Sequence, residues 1–301
     1  MTTTKALHAQ RWTDFPERGT PTSLRLIDWI AVHIGRWAAR LLLHPIALYF
    51  LMSANSARRV SYEYLKRARG RPTHWWHVFS HFHCFAATIL DRAYLLRGEF
   101  ERFDVVLHQK EILHRQLESG KGCILLGSHL GSFEVLRTLG VTHDFPLKVL
   151  MDIEHNEKIT SFLDNLNPEI ASTVIVPDRP ETLLRVKENL DAGSLIGVLG
   201  DRGSRAGKTT QCQFLGAPAT FPAGPILLAA IMRCPVILFF SLYLGGSRYE
   251  IQFEHFAQEI NLDRDRRAED VQRWTQRYVE RLEYYARLAP YNWFNFYPFW
   301  D

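Results

Sequence analysis

A short apolar run that ends in a turn constrains this chain most strongly. Residues 123–126 are Cys-Ile-Leu-Leu, a stretch too short for a helix and typical of a buried strand. Gly127 and Ser128 then interrupt the run, and a helical pattern follows over residues 135–139. Such a strand–turn–helix unit predicts an open α/β fold, in which the carboxyl ends of the strands face the ligand.

The region 121–256 repeats this pattern, because short apolar runs alternate there with helical segments. Strands are predicted at 123–127, 147–151, 173–176, 195–199, 235–243 and 248–256. Helices are predicted at about 24–52, 56–69, 74–97, 107–118 and 264–288. We therefore expect a central mixed sheet flanked by helices. The helical N-terminal segment, residues 1–70, is expected to precede a catalytic domain over residues 71–301.

Two side chains at the first turn suggest acid–base chemistry. A histidine at such a turn, His129, can take a proton from a hydroxyl, and the carboxylate of Glu134 can orient it. The two meet only if His129 lies in the turn, because five residues in one helix separate side chains by roughly 140°. Otherwise they are a capping histidine and a carboxylate that complements the helix dipole. As a pair, they suit acyl transfer to an alcohol without a covalent enzyme intermediate.

The segment 127–134 resembles the signature of the glycerolipid acyltransferase superfamily, a histidine and an acidic residue separated by four residues. The chain over about 75–300 is similar to the lipid A late (lauroyl/myristoyl) acyltransferase branch of that superfamily. Further matching landmarks are the turn at 176–179, the strand at 195–199, the segments 200–203 and 213–220, and the small-residue helix at 224–230. The aromatic tail, 289–300, resembles the subgroup encoded in aryl polyene gene clusters.

This resemblance implies a membrane-associated O-acyltransferase at the cytoplasmic face of the bacterial inner membrane. The donor would be an acyl carrier protein or coenzyme A thioester, and the acceptor a hydroxyl of a lipid or glycolipid. His129 would be the general base, Glu134 its partner, and Arg179 a group that stabilises the oxyanion. Alternatively, Arg179 is a surface arginine that pairs with Asp178 or Glu181. The resemblance requires no metal and no redox cofactor.

Several further residues are expected to bind substrate. Asp201, at the carboxyl end of a predicted strand, is expected to orient the acceptor or to hold Arg202. The basic residues Arg202, Arg205 and Lys208 lie in a glycine-containing loop that falls one position short of a phosphate-binding P-loop. They are predicted to bind a phosphate of phosphopantetheine or of an acceptor head group, although a solvated loop has the same composition. Ser128 is expected to line the substrate site.

The charge balance is mild. Thirty-six basic and thirty-two acidic residues leave a net charge of +4. This balance suits an anionic membrane surface or an acidic carrier protein, and it does not indicate nucleic-acid binding.

Four scattered cysteines predict reduced intracellular thiols, and the N-terminus lacks the layout of a cleaved signal peptide.

The apolar stretch 24–52 decides how the chain is expected to meet a membrane. Four charged residues interrupt it, Arg25, Asp28, Arg36 and Arg40. The uninterrupted part, 41–52, is shorter than the roughly 20 residues that a span needs. We expect a helix that lies in the membrane interface. A single span, a membrane-dipping hairpin and a helix packed on a soluble core are the alternatives.

Other features leave two interpretations open. The tail residues Trp293, Tyr297 and Trp300 fit either an interfacial aromatic belt or a segment that covers the core. Four histidines, at positions 74, 77, 81 and 83, have partly helical spacing, but their aromatic neighbours favour packing over metal binding.

Two other functions also fit the chain, a non-catalytic lipid-binding or carrier-docking protein and an acyl thioesterase.

Overall fold

A computed structural model describes residues 35–142, 145–151, 172–177, 179–203 and 207–300. The start of the first predicted helix, with Arg25 and Asp28, lies outside the described residues, as do Asp178 and Arg205. Three N-terminal helices precede the sheet: α1 (Arg36–Ser53), α2 (Asn55–Arg69) and α3 (Trp75–Leu96).

The remaining elements alternate between strands and helices. They are β1 (Asp104–His108), α4 (Lys110–Glu118), β2 (Cys123–Gly127), α5 (Phe133–Thr142), β3 (Leu147–Leu150), β4 (Val174–Ile175), α6 (Thr182–Asp191), β5 (Leu195–Leu199), β6 (Thr209–Phe214), β7 (Ala217–Pro222), α7 (Gly224–Met232), β8 (Val236–Gly245), β9 (Arg248–Ala257) and α8 (Arg267–Leu288). A 3₁₀ turn, Phe100–Arg102, precedes β1.

The strands form one mixed sheet in the order β1-β9-β8-β2-β5-β3-β4. β2 lies at its centre and pairs in parallel with both β5 and β8, while β8 and β9 are antiparallel. All five residues of β2 are buried, because helices cover both faces of a parallel sheet and leave its central strands apolar. The predicted fold class, a central mixed sheet flanked by helices, is confirmed.

The structure differs from the predicted elements in two places. Residues 104–108 form an edge strand parallel to β9, and the helix predicted from 107 begins at Lys110. Gln109 has a positive φ of 54°, which separates the strand from the helix. β6 and β7 form a separate antiparallel hairpin that was not predicted. Its second strand contains two prolines and two alanines, which are weak indicators of a strand.

A buried ion pair fastens α1 to the rest of the molecule. Asp91 of α3 has a fully buried side chain that accepts from Arg36 at 2.8 Å and from the Tyr249 hydroxyl at 2.9 Å. Arg40 lies 3.5 Å from the same carboxylate. These two arginines, which interrupt the apolar stretch in the sequence, therefore bond within the protein.

The opposite face of α1 is apolar and open. Trp37, Leu41, Tyr49 and Met52 are between 64% and 73% exposed. Among the described helices, none is by itself long and apolar enough to cross a membrane. The pair α1 and α2, bent by 99° at residue 54, passes that test by length and composition.

Candidate active site

The register of two parallel strands brings together residues that are far apart in the sequence. In the pairing of β2 with β5, Gly127 lies opposite Leu199, and the Gly200 amide donates to the Gly127 carbonyl at 2.8 Å. His129 comes two residues after Gly127, and Asp201 comes two residues after Leu199. Both side chains therefore leave the sheet at the same edge, and His129 Nδ1 lies 2.9 Å from Asp201 Oδ1.

The carboxylate of Asp201 is held from several sides. Its side chain is fully buried, and Oδ1 also accepts the backbone N–H of His129 at 3.0 Å. The other oxygen, Oδ2, accepts the indole N–H of Trp293 at 3.0 Å and lies 4.0 Å from Arg202 Nε. Burial alone would raise the pKa of Asp201, but His129, Arg202 and the backbone N–H hold that pKa below its ordinary value. The group is therefore an ionised acceptor.

The imidazole of His129 is placed to act as a base. Its side chain is 33% exposed, whereas its partner Asp201 is not exposed at all. Burial lowers the pKa of His129, and the Arg202 charge lowers it further, although the Asp201 carboxylate opposes both effects. Near neutral pH the ring is therefore uncharged. The hydrogen bond to Asp201 assigns the proton to Nδ1, which leaves Nε2 as the proton acceptor.

Glu134 does not make the contact that the sequence suggested. Its Oε1 forms ion pairs with Arg92 at 2.9 Å and with Arg137 at 3.4 Å, and it makes no hydrogen bond to His129. Glu134 and Arg137 are each about 1% exposed, so the carboxylate needs charged partners in the interior. The predicted pairing of His129 with Glu134 is therefore wrong, and Asp201 is the partner of His129.

The turn after His129 depends on glycine. Gly131 has a φ of 71°, and a Cβ atom at this position would lie 1.6 Å from the Ser241 carbonyl oxygen. The Gly131 amide donates to the Asn292 carbonyl at 2.8 Å, and the Ser132 amide donates to the Ser241 carbonyl at 3.2 Å. Because backbone packs against backbone here, the turn is fixed and so is the position of His129.

Residues 293–297 form one wall of the site. The Phe294 amide donates to the His129 carbonyl at 3.1 Å, and the Arg202 guanidinium donates to the Phe294 carbonyl. The same guanidinium lies 5.6 Å from the ring centre of Tyr297. Trp293 is fully buried, so of the two alternatives for this tail the structure favours core packing at that position.

The hydrogen bond from Trp293 to Asp201 is the contact of this site that the sequence reasoning missed. A buried tryptophan needs an acceptor for its indole N–H, which is a signal that could have been used. The sequence does not reveal which acceptor this is, since Asp201 lies 92 residues earlier in the chain.

The other predicted substrate residues are placed as follows. Ser128, which precedes His129 in the chain, is buried, and Arg202 lies beside Asp201. Lys208 and Arg179 are exposed, and within the described part of the chain neither side chain hydrogen-bonds to His129 or Asp201. Arg179 follows β4, the edge strand three positions from β2, which corresponds to about 14 Å. The roles of these residues stay predictions.

Comparisons with known proteins agree with this architecture. A model of the bacterial lipid A biosynthesis acyltransferase family matches residues 86–301, a span that includes β2, β5, both residues of the pair and the tail. The comparison with curated proteins gives no significant match. The aryl polyene subgroup stays a prediction. Because the family model covers well over half of the sequence, the chain belongs to the bacterial lipid A biosynthesis acyltransferase family and is an acyltransferase.

Proposed function

We propose that this acyltransferase moves an acyl group from an acyl carrier protein or coenzyme A thioester to a hydroxyl of a lipid or glycolipid. The observation that carries the proposal is the contact between His129 Nδ1 and Asp201 Oδ1 at 2.9 Å, with the imidazole partly exposed and the carboxylate buried. A neutral histidine held by an ionised carboxylate is a suitable base for activating an alcohol.

The proposed reaction uses His129 twice. Its Nε2 takes the proton of the acceptor hydroxyl while the oxygen attacks the carbonyl carbon of the thioester. Asp201 stabilises the imidazolium that forms. When the tetrahedral intermediate collapses, the carbon–sulfur bond breaks and the departing sulfur takes the proton from Nε2. No cysteine nucleophile is needed, and burial raises the pKa of the Cys123 thiol well above its ordinary value, which keeps it unreactive.

The oxyanion of the intermediate needs hydrogen-bond donors. The amides of Gly131 and Ser132 already donate to the Asn292 and Ser241 carbonyls. We therefore assign this role to the backbone amides at the start of α5 and to an arginine side chain; the role of Arg179, which follows a strand about 14 Å from β2, stays a prediction. Arg202, next to Asp201, is the arginine that lies beside the pair.

A second part of the proposal concerns the membrane. α1 buries Ala39, Leu43 and Ala47 against the protein, and its opposite face carries Trp37 and Leu41. A helix on an aqueous surface has a polar outer face, whereas this helix is apolar on both sides. We propose that the outer face of α1 rests on an anionic membrane surface at the cytoplasmic side of the bacterial inner membrane. That position would bring lipid acceptors to the enzyme.

The loop with Arg202, Arg205 and Lys208 is proposed to contact phosphate on the carrier or acceptor. Lys208 is exposed and next to the start of β6. Arg202 already bonds within the protein, so its contribution to phosphate binding would require a second contact.

Thiol release from acyl thioesters tests the proposed reaction. Wild-type protein with a lipid extract should release thiol and form an acylated lipid, and His129→Ala should lower both rates at least about 10³-fold. His114→Ala is a matched control, because His114 is an exposed histidine on α4. Free fatty acid without an acceptor would instead indicate a thioesterase. Stoichiometric lipid binding without thiol release would indicate a non-catalytic protein.

Liposome binding tests the membrane contact. Trp37→Glu combined with Leu41→Glu should abolish co-sedimentation with anionic vesicles, while the protein stays folded. Unchanged co-sedimentation would contradict the assignment of this face.

A further inference from the structure

A continuous set of buried hydrogen bonds links the N-terminal helices to the reactive pair. The Ser61 hydroxyl of α2 bonds to His81 Nδ1 at 2.7 Å, and His81 Nε2 of α3 bonds to the Trp293 carbonyl at 3.0 Å. The indole N–H of the same tryptophan donates to Asp201 Oδ2 at 3.0 Å. Asp201 then bonds to His129.

We propose that Trp293 and His81 are positioning residues, which hold the Asp201 carboxylate in the orientation that His129 needs. This inference rests on the proposed function. Trp293 acts through Asp201, and His81 acts through the backbone of Trp293.

The first step of the argument concerns the two oxygens of Asp201. Oδ1 bonds to the backbone and the ring of His129, so the carboxylate must present this oxygen to the histidine. Oδ2 is fixed by one indole N–H, and the nearest charged group, Arg202 Nε, is 4.0 Å away. Without the indole N–H, the buried anionic oxygen Oδ2 loses its hydrogen bond. This loss favours rotation of the carboxylate away from its present orientation.

The second step concerns His81, which is fully buried. Burial lowers the pKa of His81 to about 4, so the ring is uncharged at neutral pH. Its partners then fix the tautomer, since Nε2–H must donate to the Trp293 carbonyl and Nδ1 must accept from the Ser61 hydroxyl. One ring thus ties α2 and α3 to the backbone of Trp293.

Packing leaves the indole little freedom to move. The ring of Trp293 contacts Tyr64, Phe214 and Phe299 with centroid distances of 5.1, 5.1 and 4.9 Å. The ionisable groups that face Asp201 are His129, Arg202, Tyr278 of α8 and Tyr297.

Two tryptophans allow a matched comparison. Trp293→Phe removes the indole N–H and keeps an aromatic ring. Trp300→Phe makes the same change in the same aromatic cluster, where the indole N–H donates to the Phe214 carbonyl and does not touch Asp201. We expect Trp293→Phe to lower kcat/KM about tenfold and Trp300→Phe to leave it within about twofold. The reason is that only Trp293→Phe removes a hydrogen bond to a charged group.

A second measurement does not require turnover. The rate at which diethyl pyrocarbonate labels His129, followed by mass spectrometry against pH, gives the pKa of its ring. When the indole N–H is removed and the Asp201 carboxylate turns, its hydrogen bond to the His129 ring weakens, and the carboxylate stabilises the imidazolium less. Trp293→Phe should therefore lower the pKa of His129 by about half to one pH unit, and Trp300→Phe should not change it.

A double-mutant cycle separates positioning from general destabilisation. In an Asp201→Asn background, Trp293→Phe should lower kcat/KM by less than about twofold, because the carboxylate that it positions is gone. If Trp293→Phe fails to fold, His81 supplies the test. His81→Ala should lower kcat/KM, and His81→Gln, which keeps a donor near the Nε2 position, should restore most of it.

The failures are distinguishable. Equal effects of Trp293→Phe and Trp300→Phe on kcat/KM and on the pKa of His129 would overturn the inference, as would full additivity with Asp201→Asn. If the wild-type protein transfers no acyl group, the proposed function fails, and the labelling measurement alone decides whether Trp293 positions Asp201.

Discussion

Two charged clusters each draw one residue from the same short segment, His129 and Glu134, and differ in what they can do. At the edge of the sheet, Asp201 is buried but its partner His129 is one-third exposed. Around Glu134, a carboxylate of similar burial is paired with two arginines, Arg92 and Arg137. The first cluster combines a buried anion with an imidazole, a group that can accept and release a proton during a reaction. In the second, both partners of the carboxylate are arginines.

This contrast shows why burial of a carboxylate does not by itself indicate catalysis. An arginine keeps its proton in proteins, so an Arg–Glu cluster holds elements together without transferring a proton. A histidine beside an ionised carboxylate, open on one side, can transfer one. The nature and exposure of the partner therefore distinguish the two clusters.

The largest expected effect is on the reactive pair. Asp201→Asn should lower kcat about 10³- to 10⁴-fold, because the amide no longer stabilises the imidazolium or fixes the Nδ1 tautomer. Thiol release from an acyl thioester, at matched concentrations of folded protein, measures this change. A loss of less than tenfold would show that Asp201 is not the essential partner.

The next effect should appear in stability. Glu134→Ala removes the carboxylate that pairs with both Arg92 and the buried Arg137. We expect this loss to lower the unfolding free energy by about 3–5 kcal/mol. Urea denaturation followed by circular dichroism measures that free energy, with Glu134→Gln as the isosteric variant of intermediate effect. An unchanged unfolding free energy in both variants would show that the ion pairs of Glu134 do not stabilise the fold.

The fully buried histidine His81 should make stability depend on pH. His81 has a folded-state pKa of about 4, against roughly 6.5 in the unfolded chain. Between those values the unfolded state binds the proton and the folded state does not, so the unfolding free energy falls as the pH drops from 6.5 to 4. The shift corresponds to roughly 3 kcal/mol for a group this deeply buried.

Urea denaturation at pH 7 and pH 4 tests this expectation. The wild-type protein should lose more stability across that window than His81→Gln, which has no titrating ring. Equal losses in the two proteins would show that His81 is not the group responsible.

The smallest effect should come from an ion pair on the surface. Arg59 and Glu63 are 3.2 Å apart, but their side chains are 83% and 53% exposed, so solvent screens their attraction. Glu63→Gln should change the unfolding free energy by less than about 0.5 kcal/mol in the same denaturation assay. A larger change would mean that burial is not what separates the Glu134 cluster from ordinary charge pairs.

The centre of the sheet could be predicted because β2 and β5 are apolar runs that end at or just before a glycine. β2 and β5 have their predicted bounds, and His129 lies in the turn where it was expected. The two unpredicted strands of the hairpin, and the edge strand β1, lack such runs because they are only partly covered by other elements. A strand is detected from its sequence only where an apolar run or a regular apolar–polar alternation is present.

The partner of His129 could not be found in the same way. Glu134 was chosen because it is near in the sequence, whereas Asp201 is 72 residues away and becomes a neighbour only through the register of β2 with β5. The sequence did place Asp201 at the end of a strand. It did not show that this strand is the one next to β2.

The contact between Trp293 and Asp201 also bears on the order of events during protein synthesis. The ribosome adds Trp293 after the two strands that bear His129 and Asp201, so those strands can pair before the tryptophan has emerged. Until the later segment docks, the aspartate lacks one of its donors. We expect a chain at that stage to have about a tenth of the activity of the finished protein, with the full rate reached only once the indole has docked.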